Sequence, residues 1–465
     1  MCIRDSVRAH QSDHPELSVV AGFRRHYPFG PATAHIVGHL RLVSESELRS
    51  SAKLDPGSRV GATGIENLAD DFLTGEAGER WVVVSAVGRQ LGVVREDPAA
   101  SGKDLAVTID AGLQQVAAEA LGERAGAVVA LDPRSGAVRI MYSAPSFDAE
   151  LFSGPLSPEA WRRLVDDPDH PLQDRCLQGT YPPGSTIKPF LALAALAEGL
   201  VTPGWTVQCT GGVVLHGHPF RCWRRGGHGR VDLEHSLEAS CDVYYYQLGQ
   251  RLGIDRMARW LGVFGLGRPT GIGLPSEAAG LIGTPEWSRR VRGTPWYPGE
   301  AVSVSIGQGP VLATATQLAR AFAALANGGR LVTPHVVVDR DLEGAVDLEL
   351  NPTHLAWVRN GLESVVHDET GTARSLANLP VAGKTGTAQV ARLQEGVDSK
   401  DLAPHLQHHA WFVGWAPMDD PKIVIAVVVE HGGGGGSIAA PTAAAIFSAA
   451  LGDEPDGAPE LRPPG

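Results

Sequence analysis

The stretch Tyr181-Pro182-Pro183-Gly184-Ser185-Thr186-Ile187-Lys188, running into the apolar Pro189-Phe190-Leu191-Ala192-Leu193-Ala194, sets a hydroxyl and an amine three positions apart. On a helix that spacing places both side chains on one face, one turn from each other. A serine hydroxyl needs an adjacent base to attack a carbonyl at neutral pH, and an uncharged lysine can be that base. Standing alone, Ser-x-x-Lys is usually a solvated helix turn. Its weight comes from Ser240-Cys241-Asp242 and from Lys384-Thr385-Gly386-Thr387, which enters a strand-like run. Each of these is also bland by itself, the one a helix cap and the other a turn. The order of the three, in helix-start, helical and strand-start contexts, is what makes them informative.

Read together, the three stretches make an acyl-transfer site with Ser185, Lys188, Ser240, Asp242 and Lys384 as its catalytic set. Ser185 at a helix start has free backbone N–H groups nearby for an oxyanion. Desolvation and the positive charge of Lys384 favour the neutral form of Lys188. Ser240 can relay a proton between Lys188 and a leaving amine, with Asp242 steadying that geometry by a hydrogen bond. Thr385, Gly386 and Thr387 form the substrate-binding strand, the two hydroxyls facing a carboxylate and the Thr387 N–H pairing with that of Ser185 as oxyanion donor.

Composition bounds the rest. The chain has 465 residues and 43% hydrophobic content, enough for two or three domains with a large core. Forty basic against fifty-two acidic residues give a net charge of -12, with no basic block to follow a phosphate backbone, so nucleic acid is not an expected partner. Even the aliphatic run Ile423 to Val429 is far shorter than the roughly 20 residues that span a bilayer. Met1 to Ser6 resembles neither a signal segment nor a capped helix, and the true N-terminus is expected to be missing.

Along the chain, residues 22–100 are rich in glycine, proline and charge, with a strand-like piece at Trp81 to Ser85 and a helical stretch at Ile65 to Leu73, too thin a pattern for a self-sufficient domain. The N-terminal region is expected over 1–100. The main domain is expected over 101–452. Its pattern predicts strands at Leu105 to Ile109, Ala127 to Leu131 and Ala137 to Tyr142, the last two joined by the turn Asp132-Pro133-Arg134-Ser135-Gly136. It predicts helices at Gln114 to Leu121 and after Ser185, the latter ended by Gly199. A loop follows from Cys209 to Arg230, and helices dominate until about Leu325. Strands return at Thr385 to Val390, Ala410 to Trp415 and Ile423 to Glu430, before a last helix at Pro441 to Leu451 and a disordered tail over 453–465. The fold class is α/β in the α+β sense, an antiparallel sheet covered by helices plus an all-helical lobe.

The three motifs in this order are the signature of penicillin-binding proteins and serine β-lactamases. The chain most resembles the class B penicillin-binding proteins of the cell-elongation branch, from Gly22 to Leu451. The resemblance includes Arg25-His26-Tyr27-Pro28-Phe29-Gly30, Ala34-His35-Ile36-Val37-Gly38, Gly126 to Pro133, Ser305-Ile306-Gly307-Gln308-Gly309, Ala410-Trp411-Phe412-Val413-Gly414, and Val429-Glu430-His431 with Gly432 to Gly436. It implies a β-lactamase/transpeptidase-like fold with a truncated pedestal. It also implies a serine-type D-Ala-D-Ala transpeptidase, acting on peptidoglycan stem peptides and acylated by β-lactams. Aspartate at Asp242, where many relatives have asparagine, is similar to the elongation-type branch. By the same resemblance the enzyme works at the periplasmic face of the inner membrane with a glycan polymerase and scaffold proteins, and its membrane anchor is missing from this chain.

Five cysteines cannot all pair internally. Cys2 lies in the leader, and Cys176 is expected to be a small buried side chain. Cys209, Cys222, His228 and Cys241 offer three sulfurs and one imidazole, a set that zinc takes in closed structural sites, with His216 or His218 as substitute ligands. Some elongation-type relatives resemble this arrangement. A Cys209–Cys222 disulfide is the alternative in an oxidising compartment. Two rival functions keep the fold: a D,D-carboxypeptidase or β-lactamase in which water takes the acyl group, and a β-lactam-sensing module without turnover.

Overall fold

The computed structural model describes residues 10, 24–50, 54–86, 90–338, 344–390 and 402–452. Cys2, the leader and the tail over 453–465 lie outside the described residues. The chain divides into two compact units, one holding the chain to Ala106 with Asp148–Trp161, the other Val107–Phe147 and everything from Arg162 on.

In the first unit, short antiparallel strands Leu40–Leu42 and Arg59–Gly61 pair beside two small helices, Gly64–Leu68 and Asp70–Leu73. A single helix was expected there, but Ala69 leaves helical geometry between them. The buried Glu66 carboxylate is held by Arg25 at 2.8 and 3.0 Å. A longer hairpin pairs Glu79–Val84 with Gln90–Asp97.

The second unit is organised by a five-stranded antiparallel sheet. Its strands are β1 (Gly126–Leu131), β2 (Val138–Ala144), β3 (Ala382–Ala388), β4 (His409–Ala416) and β5 (Ile423–Val429), in the spatial order β3-β4-β5-β1-β2. The β1–β2 turn closes where expected, with Gly136 at φ 83 and its N–H donating to the Asp132 carbonyl at 2.8 Å. Strands β1 and β5 are apolar at every position rather than at alternate ones, because both sheet faces are covered. Helix α1 (Ala111–Leu121) packs along β2 and puts Ala117 and Leu121 into the same core as Val128 and Ala130 of β1; it is capped by the Asp110 carboxylate accepting from the Leu113 N–H at 2.9 Å. A capping box of Thr314 and Gln317 starts a fully buried helix at Ala315–Ala326, which packs against β1, β4 and β5.

The helical lobe carries α2 (Lys188–Ala197), α3 (Leu233–Glu238) and α4 (Asp242–Val263), with α5 (Ala315–Ala326), α6 (Pro352–His367) and α7 (Ala440–Gly452) following in the chain. By composition the run Gly435–Gly452 could cross a membrane. Its Ala440, Ala443, Ile446 and Phe447 are instead buried in the sheet core, the setting of a core helix. Two sequence expectations need correction. Leu105 to Ile109 forms only a single bridge, Val107 to Val337. The Cys209–Arg230 loop is built of strand pairs, Val207–Cys209 with Gly229–Val231 and Gly212–Leu215 with His218–Arg221.

Candidate active site

Ser185 sits in a tight 3-10 turn, Gly184–Ile187, that feeds directly into α2. Strand β3 runs against this turn so closely that a Cβ on Gly386 would stand 2.9 Å from the Pro183 carbonyl oxygen and 2.9 Å from Thr186. The third residue of Lys-Thr-Gly is glycine because a side chain would drive the strand from the Ser185 turn. Trp411 on β4 adds a hydrogen bond from its indole N–H to the Pro182 carbonyl at 3.1 Å.

One turn below Ser185, the fully buried Lys188 turns its Nζ to the second motif. It lies 2.9 Å from the Ser240 carbonyl, 3.3 Å from the Ser240 hydroxyl and 2.7 Å from Asp242 Oδ1, over the ring of Tyr245. Asp242 bonds this arrangement through the amine, which its carboxylate meets directly. Ser240 has φ 52, a left-handed conformation unusual for a serine, which aims its carbonyl and hydroxyl together at that amine. Lys384 is also fully buried. Burial first, and the charge of Lys188 second, hold its amine well below the usual lysine range.

Ser185, Ser240, Asp242, Thr385, Gly386 and Thr387 line one cleft of about 540 Å³. Lys188 lies under its floor, bonded to two of them. In an antiparallel pair a residue either exchanges both backbone groups with its partner or turns both away. The Thr387 carbonyl accepts the side-chain amide of Gln308, so the Thr387 N–H faces the same open edge of β3, toward the Ser185 turn. Gly433 to Gly436, after β5, complete the cleft, turned in by His431 at φ 53.

Two family descriptions match the chain: penicillin-binding protein transpeptidase domain over residues 126–448, and penicillin-binding protein dimerisation domain over 5–107. The peptidoglycan D,D-transpeptidase MrdA of Haemophilus influenzae is 39% identical over 440 residues, covering 89% of this chain and 67% of that protein. This chain belongs to the class B penicillin-binding proteins, the peptidoglycan D,D-transpeptidases. It spans about two thirds of the Haemophilus relative's length. The crystal structure of Pseudomonas aeruginosa PBP2 in complex with WCK 5153 matches with a TM-score of 0.80 at 37% identity, covering 94% of this chain and 93% of that one. PBP2 of Helicobacter pylori, solved in complex with MreC, matches with a TM-score of 0.85 at 27% identity, covering 96% of this chain and 83% of that one.

Next to Ser240, whose chain neighbour is Cys241, the side chains of Cys209, Cys222, His228 and Cys241 bring their ligand atoms within 4.8 Å of one another. The His228 Nδ1 stands 3.6 Å from the Cys209 sulfur and 3.5 Å from that of Cys222. Zn–S near 2.3 Å and Zn–N near 2.0–2.1 Å at a tetrahedral angle require about 3.6 Å between those atoms. The four residues therefore fit a metal, and each cysteine among them is free, not paired in a disulfide. The hydrogen bond with Cys241 draws the Cys222 thiol down to about 3 against burial, and the same bond together with burial pushes Cys241 up. His216 stands apart from the cluster, against Gln250. The loop also reaches the catalytic motif through Trp223, whose backbone N–H donates to Asp242 Oδ2 at 3.0 Å.

Sequence reasoning assigned no role to Trp223, Gln308 or Thr372, all of which line the cleft. Gln308 lies within Ser305-Ile306-Gly307-Gln308-Gly309, one of the stretches that carry the family resemblance. Thr372, whose hydroxyl lies 2.6 Å from that of Thr385, carried no sequence signal.

Proposed function

We propose that Ser185 is the nucleophile of this D,D-transpeptidase and that Lys188, Ser240, Asp242 and Lys384 serve it. The observation that carries the reading is the shared cleft: three motifs distant in sequence present their polar atoms to one space, with a buried amine bonded to the second. The Ser185 oxygen attacks the carbonyl carbon of the penultimate D-alanine in a stem peptide, and its proton passes to the Lys188 amine. The tetrahedral oxyanion is held by the backbone N–H groups of Ser185 and Thr387. Ser240 relays the proton from Lys188 to the leaving nitrogen, the C–N bond breaks, and D-alanine departs. The amine of a neighbouring strand then attacks the ester carbon, its proton returns to the serine oxygen, and the cross-link is released. Thr385 and Thr387, with the Lys384 amine buried behind them, receive the substrate carboxylate. A penicillin enters by the same first step and stays as an ester.

The metal of the Cys209, Cys222, His228 and Cys241 cluster is zinc in this reading. It would be structural, since its three sulfurs and one nitrogen close the coordination sphere. What it would hold is the loop bearing Trp223, and through that N–H the Asp242 carboxylate. The segment 1–100 acts as pedestal and linker, 101–452 as the transpeptidase domain. The enzyme works at the periplasmic face of the inner membrane. Its protein partners are an elongation-type glycan polymerase and scaffold proteins, the last supported by the Helicobacter complex with MreC.

The test is incubation with a pentapeptide donor and an amine acceptor. Cross-linked product together with released D-alanine, both absent in Ser185→Ala, is the expected result. D-alanine released without any acceptor product would favour the hydrolytic reading.

A further inference from the structure

Both oxyanion donors are tied to one short turn. The backbone N–H of Gly184, the residue before the nucleophile, donates to the Gly307 carbonyl at 2.9 Å. The next residue reaches the opposite wall through its side chain. Gln308 Nε2 donates to the Thr387 carbonyl at 2.9 Å, and its Oε1 accepts from the Gln389 N–H at 3.3 Å. Only one orientation of the amide satisfies both bonds, because one partner is an acceptor and the other a donor.

Strand β3 is the edge of its sheet among the described residues, so there the outward backbone groups of Thr387, and of Gln389 just past the strand end, face no neighbouring strand. A primary amide bonded to both does for that edge what a further strand would. Residues 307 and 308 therefore span the gap between the Ser185 turn and the Thr387 edge, one by main chain and the other by side chain. We propose that Gln308 is a positioning residue that fixes the Thr387 donor relative to Ser185, an inference that rests on the acyl-transfer reading of the cleft. Gln308 does not itself touch the reacting carbonyl. Its effect falls on the transition state, where the oxyanion forms, and not on the initial encounter with substrate.

The experiment measures acylation by a fluorescent penicillin over a range of concentrations, using the full chain as wild type, Gln308→Ala and Gln308→Glu. This separates the acylation rate constant from the dissociation constant of the first complex. Removing an oxyanion donor outright costs roughly 10²–10³-fold, and misplacing one costs less, so Gln308→Ala should slow acylation by about 10- to 100-fold. The dissociation constant should stay within about threefold, as expected for an interaction made only in the transition state. Gln308→Glu keeps the shape but cannot donate to the Thr387 carbonyl, and it should be as slow as the alanine variant. It also decides the matter if the alanine variant melts early. Wild-type acylation rates in both variants, or a weakened first complex with an unchanged rate constant, would overturn the inference. Ser185→Ala run alongside separates the two failures: labelling that persists there faults the acyl-transfer reading, whereas silence there with wild-type Gln308 variants faults only the positioning role.

Discussion

Lys188 Nζ and Asp242 Oδ1 lie 2.7 Å apart, the lysine wholly buried and the carboxylate nearly so. Each partner supplies the other's hydrogen bond away from bulk water, and the loss of one leaves the other buried without it. Asp242→Ala should therefore lower the unfolding free energy by about 3–5 kcal/mol. Asp242→Asn keeps a hydrogen-bond acceptor for the amine and should lose clearly less. Urea melts of the three proteins check this; equal stability of the alanine and asparagine variants would contradict it.

The cysteine cluster predicts about one zinc per chain, the content of a closed four-ligand site. Removing the metal should lower the melting temperature, and Cys222→Ser should do the same. Elemental analysis with thermal melts before and after chelation makes the measurement. Metal-free protein whose Cys209 and Cys222 resist alkylation until reduced would establish the disulfide instead.

Gly307 has φ 73, and a Cβ on it would meet the Gly184 carbonyl oxygen at 2.0 Å. That contact is backbone against backbone, so no side-chain rotation relieves it. Gly307→Ala should destabilise the fold by about 1–3 kcal/mol, from left-handed strain alone and before any clash is counted. It should also slow penicillin acylation, because the displaced turn carries Ser185. Normal acylation in a destabilised Gly307→Ala protein would break the link drawn between the two turns.

His409 accepts the His431 backbone N–H on its Nδ1 at 3.0 Å, a bond that requires an unprotonated nitrogen. Burial, and after it the neighbouring His431, lower this imidazole from 6.5 to about 4, while Glu430 acts in the opposite sense and His408 in the same one. Tyr181 packs its ring edge against it. The unfolded chain binds a proton in that interval that the folded chain refuses. The stabilising contribution is thus complete above about pH 6.5 and lost as the pH falls toward 4. His409→Gln should flatten the stability profile over that window. An unchanged slope in the variant would assign the acid sensitivity to other groups.

The parts of this molecule legible in its sequence are those whose signal is local. Ser185 and Lys188 declare themselves by spacing, the β1–β2 hairpin by its turn residues, and β5 by an unbroken aliphatic run. What sequence left unassigned is created by packing between distant segments. Thr372 reaches Thr385 only because α6 lays its C-terminal turn along β3. Trp223 meets Asp242 only because the cysteine-bearing loop folds back over the start of α4. The strand expected at Leu105 to Ile109 had the right composition, but its ladder reduces to one bridge. The two short strand pairs between Val207 and Val231 carry little local signal, because glycine and histidine interrupt their apolar alternation.

The central claim is that Ser185 carries the acyl group. Reaction with a fluorescent penicillin, followed by gel readout and mass mapping of the labelled peptide, tests it most directly. One adduct per chain should form on the peptide holding Ser185 and disappear in Ser185→Ala. Lys188→Ala should retain the hydroxyl but label about 10²–10⁴-fold more slowly, the range expected for loss of a general base. Label that persists in Ser185→Ala, or that maps to another residue in the wild type, would contradict the account.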